Sequence, residues 1–183
     1  KLQEIVVFEN GERGQVIALY EDSVKIMLFS RTKMTIGSKL SRTNTNLTIP
    51  VSNNLLGQIV TPLGVPLNPD VPPFEAEEQR PIDIPPFGIS KRKKVTKPLT
   101  TGTAVVDIMI PLGKGQKQLV LGDRKTGKSS FVLSTGKNQI NEGAIAIYAA
   151  VGKKKTDIKF IEEFMQQENR IKSMVVVASS GFD

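Results

Sequence analysis

The sequence predicts a small antiparallel β-barrel followed by an α/β domain with a parallel sheet. Short β-branched runs separated by turn residues fill the first part of the chain, and a proline-rich stretch follows. After that stretch, strand-like and helix-like segments alternate, which is typical of α/β domains. We therefore expect a barrel, a connector and an α/β domain that is incomplete at its C-terminal end, over residues 1–51, 52–98 and 99–183.

Four runs in the first part have the composition of strands. They are EIVVF at 4–8, QVIALY at 15–20, VKIMLF at 24–29 and NLTIPV at 46–51. Turn signals separate them at Asn10-Gly11, at 21–23, at Gly37-Ser38 and at 44–46. Four or five short strands with such tight spacing predict a small antiparallel barrel.

The middle of the chain is rich in proline. Nine of the eleven prolines fall within residues 61–98. Because proline fixes φ and lacks an N–H donor, this stretch is expected to be an extended connector. Just before it, residues 53–60 (NNLLGQIV) predict a short helix or turn followed by a strand.

Residues 99–183 alternate between segments with the apolar pattern of a helix and segments with that of a strand. The expected elements are a helix at 103–109, a strand at 118–121, a helix at 128–140, a strand at 144–150, a helix at 156–168 and a strand at 174–178. This alternation predicts a parallel sheet with right-handed crossovers. Three parallel strands would leave an unpaired sheet edge, so we expect the sequence to be a fragment of a longer protein.

One motif in this part carries chemistry. Residues 122–129, GDRKTGKS, fit the pattern G-x-x-x-x-G-K-[ST] between a predicted strand and a predicted helix. A glycine-rich turn that opens a helix directs several backbone N–H groups and the positive end of the helix towards one point, which suits a polyphosphate. The expected cofactors are ATP or ADP and Mg²⁺. The candidate binding residues are Gly122, Asp123, Arg124, Lys125, Thr126, Gly127, Lys128, Ser129 and Ser130.

The residues of this loop have different expected roles. Gly122 and Gly127 allow turns that are closed to residues with a Cβ. Lys128 can reach the β- and γ-phosphates, and the Ser129 hydroxyl is the candidate Mg²⁺ ligand. Thr126 is expected to donate its backbone N–H.

Three charged residues leave alternatives open. Asp123 and Arg124 would contact the nucleotide or a neighbouring subunit, or would form a salt bridge that braces the loop. Asp183 follows an apolar strand, as a metal-binding aspartate does. It lies five residues beyond Ala178, however, which favours a loop aspartate, and it is left out of the site.

The amino-acid composition excludes several kinds of functional site. Cysteine and histidine are absent, which excludes disulfides, cysteine-based metal sites and a histidine base. No apolar run approaches the roughly 20 residues of a membrane span, and residues 1–20 lack a signal-peptide layout, so we expect a cytoplasmic protein.

The net charge of +7 is unevenly distributed: residues 1–90 sum to −2 and residues 91–183 to +9. The lysine-rich clusters at 91–94 and 153–155 fit either binding to nucleic acid or anionic lipid, or solvated lysines near a polyanion site. No aromatic residues interleave with them, so nucleic acid is not expected.

The motif and its flanks resemble the α subunit of F-type rotary ATPases (ATP synthases), whose loop is usually written GDRQTGKT. Residues 97–130 are similar to the family form P-x-x-T-G-x-x-A-V-D-x-x-x-P-x-G-x-G-Q-x-x-x-x-x-G-D-R, with Val105 in place of alanine. Residues 49–68 and 145–158 resemble the neighbouring family segments. The resemblance implies an N-terminal β-barrel crown and a partial RecA-like P-loop nucleotide-binding domain.

The resemblance also bears on catalysis. Catalytic β subunits and secretion-ATPase relatives carry Gly-Glu-Arg after the strand that follows the loop helix, and the glutamate polarises the attacking water. The matching residues here are Gly152, Lys153 and Lys154. Lysine is cationic at neutral pH and cannot accept that proton. This implies a non-catalytic, regulatory subunit with no catalytic residue. Lys125 and Lys153 stand where glutamine is usual, which suggests a divergent paralogue.

The implied partners are catalytic β-like subunits in an alternating hexameric ring and a central stalk subunit. Through such an assembly the chain would lie in the cytoplasm or peripherally at the inner face of a membrane. Two alternatives stay open: a catalytic hexameric secretion-type ATPase, and a RecA-like RNA helicase. The helicase would need a basic, aromatic barrel, whereas residues 1–90 sum to −2.

Overall fold

The computed structural model describes residues 1–30, 32–167 and 172–180. Asp183, considered above as a metal ligand, lies outside these ranges, as do Gly181 and Phe182. Internal contacts divide the chain into two units. Unit 1 comprises 1–52 and 76–85, and unit 2 comprises 53–75 and 86–182.

Unit 1 contains a four-stranded antiparallel sheet. Its strands are β1 (Glu4–Phe8), β2 (Arg13–Leu19), β3 (Val24–Leu28) and β4 (Leu40–Asn46), in the order β3-β2-β1-β4. Ile5, Val6 and Val16 are buried. The first three strands confirm the predicted runs. The fourth was missed, because the polar sequence of β4 has no strand-like apolar pattern and it is the backbone pairing with β1 that makes it a strand.

The predicted turn at 44–46 lies inside β4. Asn44 has φ 58°, in the left-handed region that asparagine tolerates better than most residues. The β1–β4 register shifts at this point, between the pairs Glu4↔Asn46 and Val6↔Arg42. The turn signal therefore marks a β-bulge, which bends the strand without ending it.

The predicted barrel does not close within the described residues. The next strand, β5 (Thr48–Val51), leaves the four-stranded sheet and pairs antiparallel with β7 (Glu78–Pro81) from the proline-rich stretch. β3 and β4 accordingly remain the edges of an open sheet. Extended backbone that keeps N–H donors between its prolines can pair with a neighbouring strand. β7 pairs in this way with β5, and β5 therefore does not join the four-stranded sheet to close a barrel.

A buried carboxylate ties β1 to β4. Glu4 is 1% exposed. Arg42 Nε and Nη2 each donate to one of its carboxylate oxygens at 2.9 Å, and the Asn44 N–H donates to Oε1 at 3.2 Å. The Arg42 guanidinium lowers the pKa of Glu4 from 4.5 to about 2. The pair thus holds the bulged end of the sheet.

We expect Arg42→Gln to lower the urea midpoint of unit 1 at neutral pH, because Glu4 would lose its bidentate partner. A carboxylate whose pKa is lowered in the folded state stabilises that state at pH values above its unfolded pKa of 4.5. This stabilisation is lost as the pH falls towards 2. The urea midpoint of the wild-type protein should therefore decrease between pH 4.5 and 2, and the midpoint of Arg42→Gln should depend less on pH. Arg80→Gln breaks a solvent-exposed pair with Glu78 and should change little. Equal effects of the two substitutions would contradict the assignment.

Unit 2 is built around a three-stranded parallel sheet of β6 (Ile59–Val60), β10 (Ala146–Lys153) and β11 (Met174–Ser180), in the order β10-β11-β6. The loop helix α2 (Lys128–Asn141) precedes β10 (Ala146–Lys153), and α3 (Lys155–Gln166) connects β10 to β11 (Met174–Ser180). This confirms the predicted alternation in this stretch. The short β6 (Ile59–Val60) follows a 3₁₀ turn at Asn53–Leu55, as expected. The remaining elements are β8 (Pro98–Leu99), α1 (Ala104–Met109), β9 (Leu112–Gly113) and a 3₁₀ turn at Ile89–Lys91.

The core of unit 2 lies between the sheet and its two long helices. Ile158, Ile161 and Met165, at the predicted helical spacing, form the buried face of α3. They pack in one cluster with Leu133 of α2 and with strand residues such as Val176, which is fully buried. Burial of this cluster fixes both helices to the strands whose carboxyl ends form the site described below.

The predicted strand at 118–121 is not formed. The segment has no strand assignment, and Leu119 and Leu121 are 73% and 80% exposed. A strand needs a neighbour that supplies backbone partners, and in the described part of the chain β6 occupies the side of β11 away from β10. The third parallel strand is therefore β6. The apolar pattern alone could not show which segment would pair there.

No helix in the described ranges combines the length and apolarity that a membrane crossing requires.

Candidate functional site

The helix that follows the glycine-rich loop begins as the motif predicts. Gly127 is the N-cap residue of α2, with φ 86° and ψ 9°, a left-handed conformation that suits glycine. The first helical bond runs from the Phe131 N–H to the Gly127 carbonyl at 2.9 Å. The preceding N–H groups at the start of α2 have no earlier carbonyl in the helix to bond, so this end is an anion-attracting terminus.

The loop itself is compact. Thr126 Oγ1 donates to the Asp123 carbonyl at 2.8 Å. A Cβ on Gly122 would lie 2.9 Å from that same hydroxyl, so glycine is needed for this close approach. Lys125 has φ 65°, an uncommon conformation for a residue with a side chain. The loop thus holds a turn that few sequences would accept.

The Lys128 side chain folds back over the loop. Its ammonium donates to the carbonyls of Gly122, at 2.7 Å, and of Asp123, and lies 3.3 Å from Thr126 Oγ1. A polyphosphate bound here would meet a cation that is already held at the mouth of the loop. The geometry is compatible with the predicted role of Lys128, which stays a prediction.

The other candidate residues of the loop lie at the surface. Asp123, Arg124, Ser129 and Ser130 are all exposed. Neither Asp123 nor Arg124 forms an ion pair with any residue that the structure describes. The bracing salt bridge considered from the sequence is therefore not seen in these ranges, and both side chains are free to meet a ligand or a neighbouring subunit.

A lysine from the sheet reaches the start of α2. Lys153 ends β10, directly after Gly152, which has φ 64°. The β10–β11 register shifts between Val151 and Lys153, so Gly152 is the extra residue of a bulge that redirects the next side chain. Lys153 Nζ lies 3.4 Å from Ser129 Oγ. The sequence placed Lys153 near the phosphates only by resemblance and did not predict this contact.

The far half of α2 is anchored to the turn before α1. Asn138 Nδ2 donates to the Thr101 carbonyl at 2.7 Å, and Gln139 Nε2 donates to the Thr100 carbonyl at 2.9 Å. Gly102, at φ 79°, lies against the Asn138 amide with no room for a Cβ. These contacts fix the direction in which α2 presents its N-terminus.

An aspartate holds that turn in place. Asp107 accepts hydrogen bonds from the Thr101 hydroxyl at 2.7 Å, the Thr101 N–H at 2.8 Å and the Gly102 N–H at 2.9 Å. The Thr101 hydroxyl, then its N–H, lowers the pKa of Asp107. The sequence analysis gave Asp107 no role. The signal that could have identified it is a Thr-Gly pair just before a helix with an aspartate in the first turn of that helix.

A surface ion pair supports the C-terminal end of α2. Lys114 Nζ lies 2.7 Å from Glu142 Oε2, and this ammonium lowers the pKa of Glu142. Glu142 follows the helix, so Lys114 ties the segment after β9 to the end of α2.

The assembled site is cationic. Lys128 folds over the loop onto the Gly122 carbonyl, and Lys153 reaches the exposed Ser129 hydroxyl from the end of β10. No group of three or more carboxylate, histidine or cysteine side chains that could hold a metal ion occurs in the described ranges. Such an arrangement can bind a polyanion at the helix N-terminus, and the end of β10 contributes a second cation beside it.

A comparison with protein-family models gives a match that covers this site. Residues 102–182 match the model described as ATP synthase alpha/beta family, nucleotide-binding domain. The matched range contains the loop, α2, β10 and the contact between Lys153 and Ser129. The match implies binding of ATP or ADP. This part of the chain is therefore similar to the nucleotide-binding domain of the ATP synthase alpha/beta family.

Proposed function

We propose that this chain is a non-catalytic, regulatory, ATP-binding α-like subunit of an F-type rotary ATPase. It holds the nucleotide against residues 122–130, with Lys128 on the β- and γ-phosphates. The observation that carries the proposal is the lysine at the end of β10, which lies 3.4 Å from Ser129 Oγ.

A lysine at the end of β10 favours retention of ATP over its hydrolysis. Phosphoryl transfer to water requires a group that positions the water and accepts its proton. An ammonium has no lone pair for this purpose and attracts phosphate oxygens instead. A residue that strengthens binding therefore stands where a residue for turnover would be needed.

Mg²⁺ fits the residues present if the phosphates supply most of its ligands. Mg²⁺ keeps several waters and usually takes only one or two protein ligands beside substrate phosphates. The exposed Ser129 hydroxyl at the start of α2 is such a ligand. The ion would neutralise phosphate charge there.

The partners follow from the family. Members of the ATP synthase alpha/beta family assemble as rings of related subunits, so a catalytic β-like chain is the expected neighbour, together with a central stalk subunit. The N-terminal strands would form the crown that joins neighbouring subunits. The open edges β3 and β4 leave backbone groups for barrel closure in the assembly.

The proposal predicts retention of ATP with little turnover. Purified protein should keep close to one ATP per chain through a desalting column and release phosphate far more slowly than the roughly 10 s⁻¹ of a median enzyme. Rapid multiple turnover would favour a catalytic ATPase, and failure to retain ATP would overturn the nucleotide site. In cells, a tagged chain should co-purify with a second chain that carries its own phosphate loop and a glutamate after the next strand.

A further inference from the structure

We propose that Lys153 takes over part of the charge-neutralising role of Mg²⁺, so that this chain binds ATP with a weakened dependence on divalent cation. The inference rests on the proposed function and deepens it, because it concerns how the same site neutralises its ligand. It makes Lys153 a residue that sets specificity between free ATP and Mg-ATP.

The backbone of β10 directs Lys153 to Ser129, the candidate Mg²⁺ ligand. Gly152, in the left-handed region, interrupts the ladder with β11 by one residue, and the next side chain ends 3.4 Å from Ser129 Oγ. Carboxyl ends of parallel strands are where α/β domains bind their ligands. A flexible surface lysine would have many other directions available, whereas this one is half-buried and placed by a bulge.

The contact between Lys153 and Ser129 makes the ammonium compete with Mg²⁺ for the serine hydroxyl. An ammonium that donates to the serine oxygen occupies a lone pair that a metal would use. An ammonium within hydrogen-bond reach of that oxygen would also lie within a few ångströms of an ion coordinated by it, and like charges at such a distance repel. Each cation therefore weakens the binding of the other, and the phosphates are neutralised partly by whichever is present.

The charge of Lys153 is available for this role. Among the residues that the structure describes, none forms an ion pair with Lys153. Its ammonium lies 3.4 Å from the Ser129 hydroxyl, whereas the ammonium of Lys128 is bonded to loop carbonyls. Lys153 thus adds a second cation to the site rather than balancing a carboxylate.

The adjacent residue provides a matched control. Lys154 is exposed and forms the N-cap of α3 through its backbone, with no side-chain cap bond. Lys154→Gln removes the same charge one residue away from the same strand end. A difference between the two glutamine variants therefore reports the position of the ammonium and not the net charge of the protein.

The test is the ratio of the ATP dissociation constant in EDTA to that in excess Mg²⁺, measured by calorimetry on the purified protein. Loss of one charge-assisted contact to phosphate changes affinity by about 10–100-fold. Lys153→Gln should therefore raise the ratio by about 10-fold or more over wild type. Lys154→Gln should leave the ratio unchanged, and Lys153→Arg, which keeps the charge, should stay near the wild-type ratio.

The outcomes separate this inference from the proposed function. If Lys153→Gln binds Mg-ATP and its ratio is within about twofold of wild type, or if Lys154→Gln shifts the ratio equally, the role of Lys153 is wrong while the nucleotide site stands. If wild type binds ATP under neither condition, both proposals fail. Folding of each variant is checked by circular dichroism. If the glutamine variant does not fold, Lys153→Met, which also removes the charge, decides the question: its ratio should rise as expected for Lys153→Gln, and an unchanged ratio would overturn the role of Lys153.

Discussion

Replacing Lys128 by alanine should abolish retention of ATP. The ammonium of Lys128 folds over the loop and is bonded to the Gly122 and Asp123 carbonyls. Alanine removes the charge-assisted contact to phosphate and also leaves both carbonyls without that donor. Loss of one such contact is worth about 1.5–3 kcal/mol, which weakens binding by about 10–100-fold. Equilibrium dialysis with labelled ATP measures the change.

The control for this experiment is Lys154→Ala, which removes an exposed lysine outside the loop. It should retain ATP like wild type. The thermal midpoint of Lys128→Ala should also stay close to wild type, because Lys128 lies at the surface end of α2 and contributes nothing to the buried cluster. Unchanged ATP retention in Lys128→Ala with normal folding would show that the loop is not the nucleotide site.

Replacing Met165 by alanine should destabilise unit 2 by about 2–5 kcal/mol, the usual cost of a large-to-small change in a core. Met165 is 1% exposed and packs in the cluster that joins α3 to the sheet. Domains are stable by only about 5–15 kcal/mol, so a loss of this size consumes a large fraction of the total. Urea unfolding followed by circular dichroism measures it.

A second methionine in the same unit provides the comparison. Met109 in α1 is 75% exposed, and Met109→Ala deletes the same atoms without opening a cavity. Its midpoint should remain within the small range of ordinary surface changes, about 0.5 kcal/mol. Equal midpoints for the two variants would contradict the assignment of Met165 to the core that supports the site.

Much of unit 2 could be predicted from periodicity. Helices α1, α2 and α3 and strands β10 and β11 lie within a few residues of the predicted ranges. α3 has a clear apolar period, and glycine or proline near the ends marks the limits of the others. The candidate loop was identified by its motif and by its place between a predicted strand and a predicted helix; the helix formed, whereas the strand at 118–121 did not. The assignment of its residues to phosphate and metal stays a prediction, supported by the geometry around Lys128.

The differences between the predicted and the observed strands have a common cause. Residues 118–121 have a strand-like composition but no neighbouring strand among the described residues, whereas the polar β4 becomes a strand because β1 lies beside it. Strand formation depends on long-range pairing, which local composition does not encode. The same reason explains the open sheet of unit 1, since β5 found a partner in β7 instead of closing a barrel.

By itself, the sequence determined the local chemistry of this protein: Gly127 where the loop takes a positive φ, a lysine and a serine at the start of a helix, and no histidine or cysteine anywhere. Only the tertiary structure decided which distant residues meet. Lys153 and Ser129 are 24 residues apart and come into contact because a bulge at Gly152 ends a strand beside the start of α2. Such contacts depend on which strands pair and how their ladders shift, and these are properties of the whole fold.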